Sequence, residues 1–159
     1  QNTYLRYRSI NCIHAAVNIY RIIIFCIIRS YNALAYSIIL HMYNTVLEAQ
    51  LKAIEAMHHG INSKDADSIA RNHIYGNGYK GYFGHSLGHG VGMLVHEAPR
   101  LSPSAQKDST LKRGMTTSVE PGIYIAEKYG CRIEDLVAID VDGKVLNMTK
   151  SNKEIIELF

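Results

Sequence analysis

The run HSLGHGVGMLVHEAP at residues 85–99 constrains this chain more than any other stretch. Gly88, Gly90 and Gly92 stand at alternate positions among His85, His89 and His96. His85 and His89 are four apart, a spacing that on a helix sets two imidazoles on one face, as in zinc proteases. Glycines this dense oppose a helix, at about 1 kcal/mol each. The stretch is therefore expected to be a loop leading into a strand. Glycine on both sides of His89 lets another backbone, or a ligand, come close. That makes His89 the better ligand candidate, with His85 and His96 as hydrogen-bonding groups around it.

The flanking sequence sets the fold class. In YNTVLEAQLKAIEAMHHG, Tyr43, Val46, Leu47, Leu51 and Ile54 recur at helical spacing. Thr45 and Glu48 read as a capping box, and Gly60 as the stop. A second helix follows, with Ser63 as its cap, Asp65 and Asp67 in the first turn, and Ala66, Ile69, Ala70 and Ile74 as its buried stripe. His58, His59 and His73 read as surface or boundary residues. Beyond the glycines at 76, 78, 81 and 84, the segments VGMLVHE, RGMTTSVEPGIYI, CRIEDLVAIDV and KVLNM are strand-like. Asp142-Gly143 marks a hairpin between the last two, and KEIIELF closes as a brief helix or strand. Two helices followed by an antiparallel sheet make an α+β layer.

Residues 1–41 differ from the rest. They hold no Gly, Pro, Asp or Glu and show no clean period of 2 or 3.6. The expected organisation is an atypical head at 1–41 and a globular part at 42–159. Arg6, Arg8, Arg21 and Arg29 belong to this end, so the overall charge of +3 says little about the remainder. Nucleic acid is not an expected partner. Nor is a membrane: IIIFCII spans only residues 22–28 between Arg21 and Arg29, and a charge at the bilayer centre costs about 2.5–3.5 kcal/mol. Cys12, Cys26 and Cys131 form no CxxC pair, which fits reduced thiols in a cytoplasmic protein.

Two carboxylates join the histidines. Glu120 precedes Pro121, which biases it to extended geometry. Glu134 lies in the strand-like CRIEDLVAI beside Arg132. A strand carboxylate that is buried must be paired or metal-bound. With a neutral imidazole, Glu120 and Glu134 make an oxygen-rich site suited to Mn²⁺ or Fe²⁺. A surface salt bridge between Arg132 and Glu134 satisfies the same spacing.

HSLGHGVGMLVHEAP, SVEPGIYI and CRIEDLVAI together resemble the C-terminal half of the catalytic domain of pita-bread metallopeptidases. The wording is most similar to the Xaa-Pro aminopeptidase and Xaa-Pro dipeptidase branch. The resemblance implies half of a pita-bread fold, two helices packed on a curved antiparallel sheet. It implies His89, Glu120 and Glu134 as metal ligands, usually of two Mn²⁺ ions with a bridging hydroxide that attacks the bond before proline. It implies His85 and His96 at the substrate, Glu120 also as general base, and Arg132 supporting the site. Substrates would be peptides with proline at the second position, and the chain could pair as a homodimer. The family also uses two upstream aspartates, which residues 1–41 lack. A truncated or frame-shifted head that regains the pattern near residue 42, and impaired activity, are the matching expectations. The other reading is a non-catalytic module that binds peptides or partner proteins.

Overall fold

In the computed structural model, residues 33–156 are described. Helices α1 (Ala33–Ala56) and α2 (Ser63–Ile74) lead through a short π-helical turn (Tyr75–Tyr79) into seven strands. These are β1 (Gly88–Gly90), β2 (Glu97–Leu101), β3 (Thr116–Val119), β4 (Gly122–Ile125), β5 (Tyr129–Arg132), β6 (Asp135–Ile139) and β7 (Val145–Asn147). The main sheet has the order β2-β1-β3-β6-β7, and β4 pairs with β5. Every pairing is antiparallel.

Helix α1 runs through residues 41 and 42 without a break. Ile39, Met42, Tyr43, Val46, Ala49, Ala53 and Ile54 form one buried stripe at helical spacing. Thr45 therefore lies well inside the helix and caps nothing. Its hydroxyl instead donates to the His41 carbonyl at 2.8 Å. The start lies earlier because Ala, Leu and Ile continue a helix readily and no Gly or Pro stops it. The remainder of the expected head lies outside the described residues.

The cap of α2 is Asn62, one residue before the expected Ser63; its Oδ1 accepts the Lys64 N–H at 2.8 Å. Ser63 is buried and meets Ser109. Asp65 stays exposed in the first turn, whereas Asp67 is fully buried. The expected strand VGMLVHE is interrupted, with β1 ending at Gly90 and β2 beginning at Glu97. Between them, the Glu97 carboxylate accepts the Leu94 N–H at 2.7 Å and closes a turn, leaving Met93, Leu94 and Val95 exposed. The Asp142-Gly143 hairpin joins β6 to β7, with Asp140 Oδ1 accepting the N–H groups of Asp142 and Lys144. Residues 153–156 are neither helix nor strand.

The core lies between the helices and one sheet face. Val119, Ile123, Cys131 and Ile133 point into it and meet the α1 stripe. Among the described residues no helix is long and apolar enough to cross a membrane.

Candidate metal centre

Strand register places the two glutamates. Val119 stands opposite Asp135 in the β3–β6 pair, and Gly122 opposite Arg132 in the β4–β5 pair. These are one continuous register, so Glu120 faces Glu134 across the gap and Pro121 faces Ile133. The Ile133 N–H donates to the Pro121 carbonyl at 3.4 Å, as that register requires. Side chains alternate along a strand. Ser118, Glu120, Tyr124, Arg132 and Glu134 thus share the face opposite the core.

Two carboxylates directly opposed across a ribbon repel each other. The Arg132 guanidinium spans them, with Nη1 3.7 Å from Glu120 and Nη2 3.5 Å from Glu134. Both distances are long for charged hydrogen bonds, so the bridge is loose. Burial pushes the Glu134 carboxyl up, and the Glu120 charge adds to it. Burial also raises Glu120, but hydrogen bonds from His89 and Ser118 and the Arg132 charge outweigh it and hold Glu120 low.

The imidazole arrives from β1, beside β3. Its place requires the flanking glycines: a Cβ on Gly88 would lie 1.9 Å from the Ser118 carbonyl oxygen, and one on Gly90 2.2 Å from that of Ala98. The Ser118 hydroxyl accepts the His89 N–H and donates to Glu120 Oε1 at 2.9 Å. His89 Nδ1 meets the Gly90 carbonyl at 3.0 Å, and Nε2 lies 3.2 Å from Glu120 Oε1. With Nδ1–H donated to Gly90, a neutral ring turns the Nε2 lone pair toward a carboxylate. Two acceptors face to face need a proton or a metal cation between them. The Glu120 hydrogen bond accordingly raises the His89 pKa against the lowering effect of burial.

His85 Nδ1 meets the Ser86 carbonyl at 2.8 Å, and Nε2 meets the Tyr124 hydroxyl at 2.9 Å. His96 is exposed, its ring centroid 4.3 Å from that of His89. His85, His89, His96, Glu120 and Arg132 all border one cavity of about 680 Å³, and Glu134 lies outside its wall. The structure thus brings His89, Glu120, Glu134 and Arg132 together, with His85 and His96 at the margins.

Four contributing residues carried no functional expectation. Tyr124 orients His85. Asp67 takes two hydrogen bonds from Arg71, at 2.6 and 2.9 Å, and a third from the Leu87 N–H at 2.9 Å. Arg71 also donates to the Phe83 and His85 carbonyls, each at 2.7 Å. Together they fasten the histidine loop to α2. Gln50 donates to the carbonyls of Val119 and Ile133. Its signal was a polar residue on the buried stripe of α1.

The donor set of one imidazole and two carboxylates fits a divalent cation in chemistry. Among the described residues no three such groups yet close on a common point, and the loose guanidinium spans the carboxylates instead.

The fold is that of one half of a pita-bread metallopeptidase. The chain belongs to Metallopeptidase family M24, whose profile matches residues 16–140. It is 52% identical to the Xaa-Pro dipeptidase of Pyrococcus horikoshii over 116 residues, 72% of this chain and 32% of that protein. The crystal structure of the prolidase from Pyrococcus horikoshii superposes with a TM-score of 0.71 at 47% identity, covering 76% of this chain and 34% of that one. The X-Pro aminopeptidase from Thermotoga maritima gives 0.68 at 40% identity, over 73% and 32%. The chain spans about a third of the length of the curated relatives it matches.

Proposed function

We propose that this chain is a metal-dependent peptidase unit of the Xaa-Pro aminopeptidase kind, acting in the cytoplasm on peptides whose second residue is proline. The observation that carries this is the cross-strand opposition of Glu120 and Glu134 with His89 Nε2 turned onto Glu120. His89, Glu120 and Glu134 would hold the cation, with Mn²⁺ favoured by the oxygen-rich set. When bound, it supplies Lewis-acid polarisation of the scissile carbonyl. Glu120, ionised and fixed by Ser118, accepts the proton of the attacking water. His85 and His96 contact the substrate from the cavity margin, and Arg132 balances the carboxylates.

Residues 1–41 contain no Asp or Glu to complete a second metal position. Activity of this chain alone is therefore low, and pairing of two copies is the proposed state. A second reading, a non-catalytic peptide-binding module, is favoured by the Arg132 bridge, which sets one positive charge between the two glutamates without a metal.

One experiment separates the two. The purified chain is loaded with Mn²⁺, its metal content measured, and hydrolysis followed on Ala-Pro and Ala-Pro-Ala. The peptidase reading expects bound Mn²⁺ with cleavage before proline, abolished by Glu120→Gln. A folded, metal-free chain without hydrolysis supports the binding module. Cleavage that survives Glu120→Gln removes Glu120 as the base.

A further inference from the structure

Gln50 is fully buried in the middle of α1, on the same stripe as Val46, Ala49 and Ala53. Its Nε2 donates to Val119 O and to Ile133 O, both at 3.0 Å. Its Oε1 is buried without a hydrogen-bond partner. As core filling alone this is a poor choice, since an apolar side chain of that size would leave no amide oxygen unpaired. The two donated bonds therefore need an explanation.

Both accepting carbonyls belong to the residues immediately before the two glutamates. The Ile133 carbonyl is also the one that the sheet cannot serve. Pro121 stands opposite Ile133 in hydrogen-bonded register and accepts its N–H. In an antiparallel pair the partner returns a second bond, but proline has no N–H to give. Gln50 supplies that missing donor from the helix. At the other carbonyl, the Val119–Glu120 peptide is gripped from both sides: Gln50 holds its C=O, and the Glu120 N–H donates to Leu87 O at 2.7 Å. One rigid amide thus ties together the peptide planes that aim Glu120 and Glu134.

We propose that Gln50 is a positioning residue that sets the separation and direction of Glu120 and Glu134, and so the affinity of the centre for a divalent cation. This rests on the metal-binding reading of the two glutamates. The pair is held at a ribbon interruption, where the ladder alone defines it weakly. Groups behind metal ligands commonly govern affinity by about 10–100-fold.

The test compares Gln50→Met, which keeps the volume and removes both donors, with Val46→Ala, which loosens the same helix face and leaves Gln50 in place. Mn²⁺ binding is read by electron paramagnetic resonance. The carbonyl ¹³C shifts of Val119 and Ile133 and the carboxyl ¹³C shifts of Glu120 and Glu134 are read by NMR without metal. Gln50→Met is expected to weaken Mn²⁺ by about 10–100-fold and to move all four shifts together. Val46→Ala, despite a lower melting temperature, is expected to do neither. Unchanged Mn²⁺ affinity in Gln50→Met, or an equal loss in Val46→Ala, overturns the proposal. If the parent chain takes up no Mn²⁺, the metal-binding reading fails and the shifts decide the clamp: all four moving in Gln50→Met only supports it, and static carboxyl shifts overturn it.

Discussion

At the scale of residues, the centre is a contest between cations for three acceptor groups. A proton on His89 and the Arg132 guanidinium relieve the repulsion between Glu120 and Glu134, and on the proposed reading a divalent metal would relieve it too. The surroundings of the three groups give this a pH signature. The Glu120 hydrogen bond raises His89 above its ordinary 6.5. Its stabilising contribution is therefore complete below that value and is lost as pH rises through the folded pKa. Glu134, raised by burial and by Glu120, works in the same sense above 4.5. Glu120, held low, contributes above 4.5 and loses its contribution as pH falls through its folded pKa. The metal-free chain should thus lose stability as pH rises from mildly acidic to alkaline, in melting curves taken across that range. His89→Gln should flatten that decline. Metal affinity should follow the opposite course, because Mn²⁺ needs the neutral imidazole and gains as the proton leaves. If stability and Mn²⁺ affinity rise together with pH, His89 and Glu120 are not coupled as described.

At the scale of elements, the site depends on how α2 holds the histidine loop. Asp67 is wholly buried and Arg71 partly so, at the edge of the cavity, joined as an i,i+4 pair at 2.6 Å. The Arg71 guanidinium also lies 4.2 Å from the centre of the Phe83 ring. Asp67→Ala leaves the Leu87 N–H buried without its acceptor and Arg71 without its carboxylate, so it should cost about 1–3 kcal/mol in urea unfolding. Removing both charges with Asp67→Leu and Arg71→Met should cost less than Asp67→Ala alone. Equal losses would mean that the ion pair is not what anchors the loop. This clamp explains what the sequence showed and what it hid. The strands around Glu120 and Glu134, the glycines beside His89 and the 142–143 hairpin were legible because each is set by neighbours in the chain, whereas VGMLVHE is broken by the turn that Glu97 closes. Asp67 looked like an ordinary first-turn carboxylate, since its acceptor role depends on Leu87, twenty residues away. Gln50 was hidden for the same reason, its carbonyl partners lying 69 and 83 residues downstream. The period-2 pattern through SVEPGIY and CRIED did carry the shared face of Ser118, Glu120, Tyr124, Arg132 and Glu134. The α1 start was misplaced because a capping pair outweighed an uninterrupted run of helix formers.

At the scale of the whole molecule, the helices cover one side of the sheet and leave the donor face to the cavity. Folding therefore builds the centre. The strands that aim Glu120 and Glu134 are those whose opposite faces place Val119, Ile123, Cys131 and Ile133 in the core. Without the fold, His89, Glu120 and Glu134 are three residues with no shared geometry, so on the proposed reading cation binding feeds back on stability. A ligand that binds only the folded state at 100 times its Kd stabilises it by about 2.7 kcal/mol. For a domain near this size that corresponds to a melting shift of roughly 6–10 °C. Calorimetric scans with increasing MnCl₂ should show this rise at pH values above the His89 titration. Glu134→Gln should remove it by deleting a donor, with little loss of metal-free stability, because the raised Glu134 pKa marks its charge as unfavourable in the fold. Mg²⁺ should shift the parent less, as it bonds imidazole poorly. A rise of the same size with Mg²⁺, or in Glu134→Gln, would place the bound cations elsewhere on the surface.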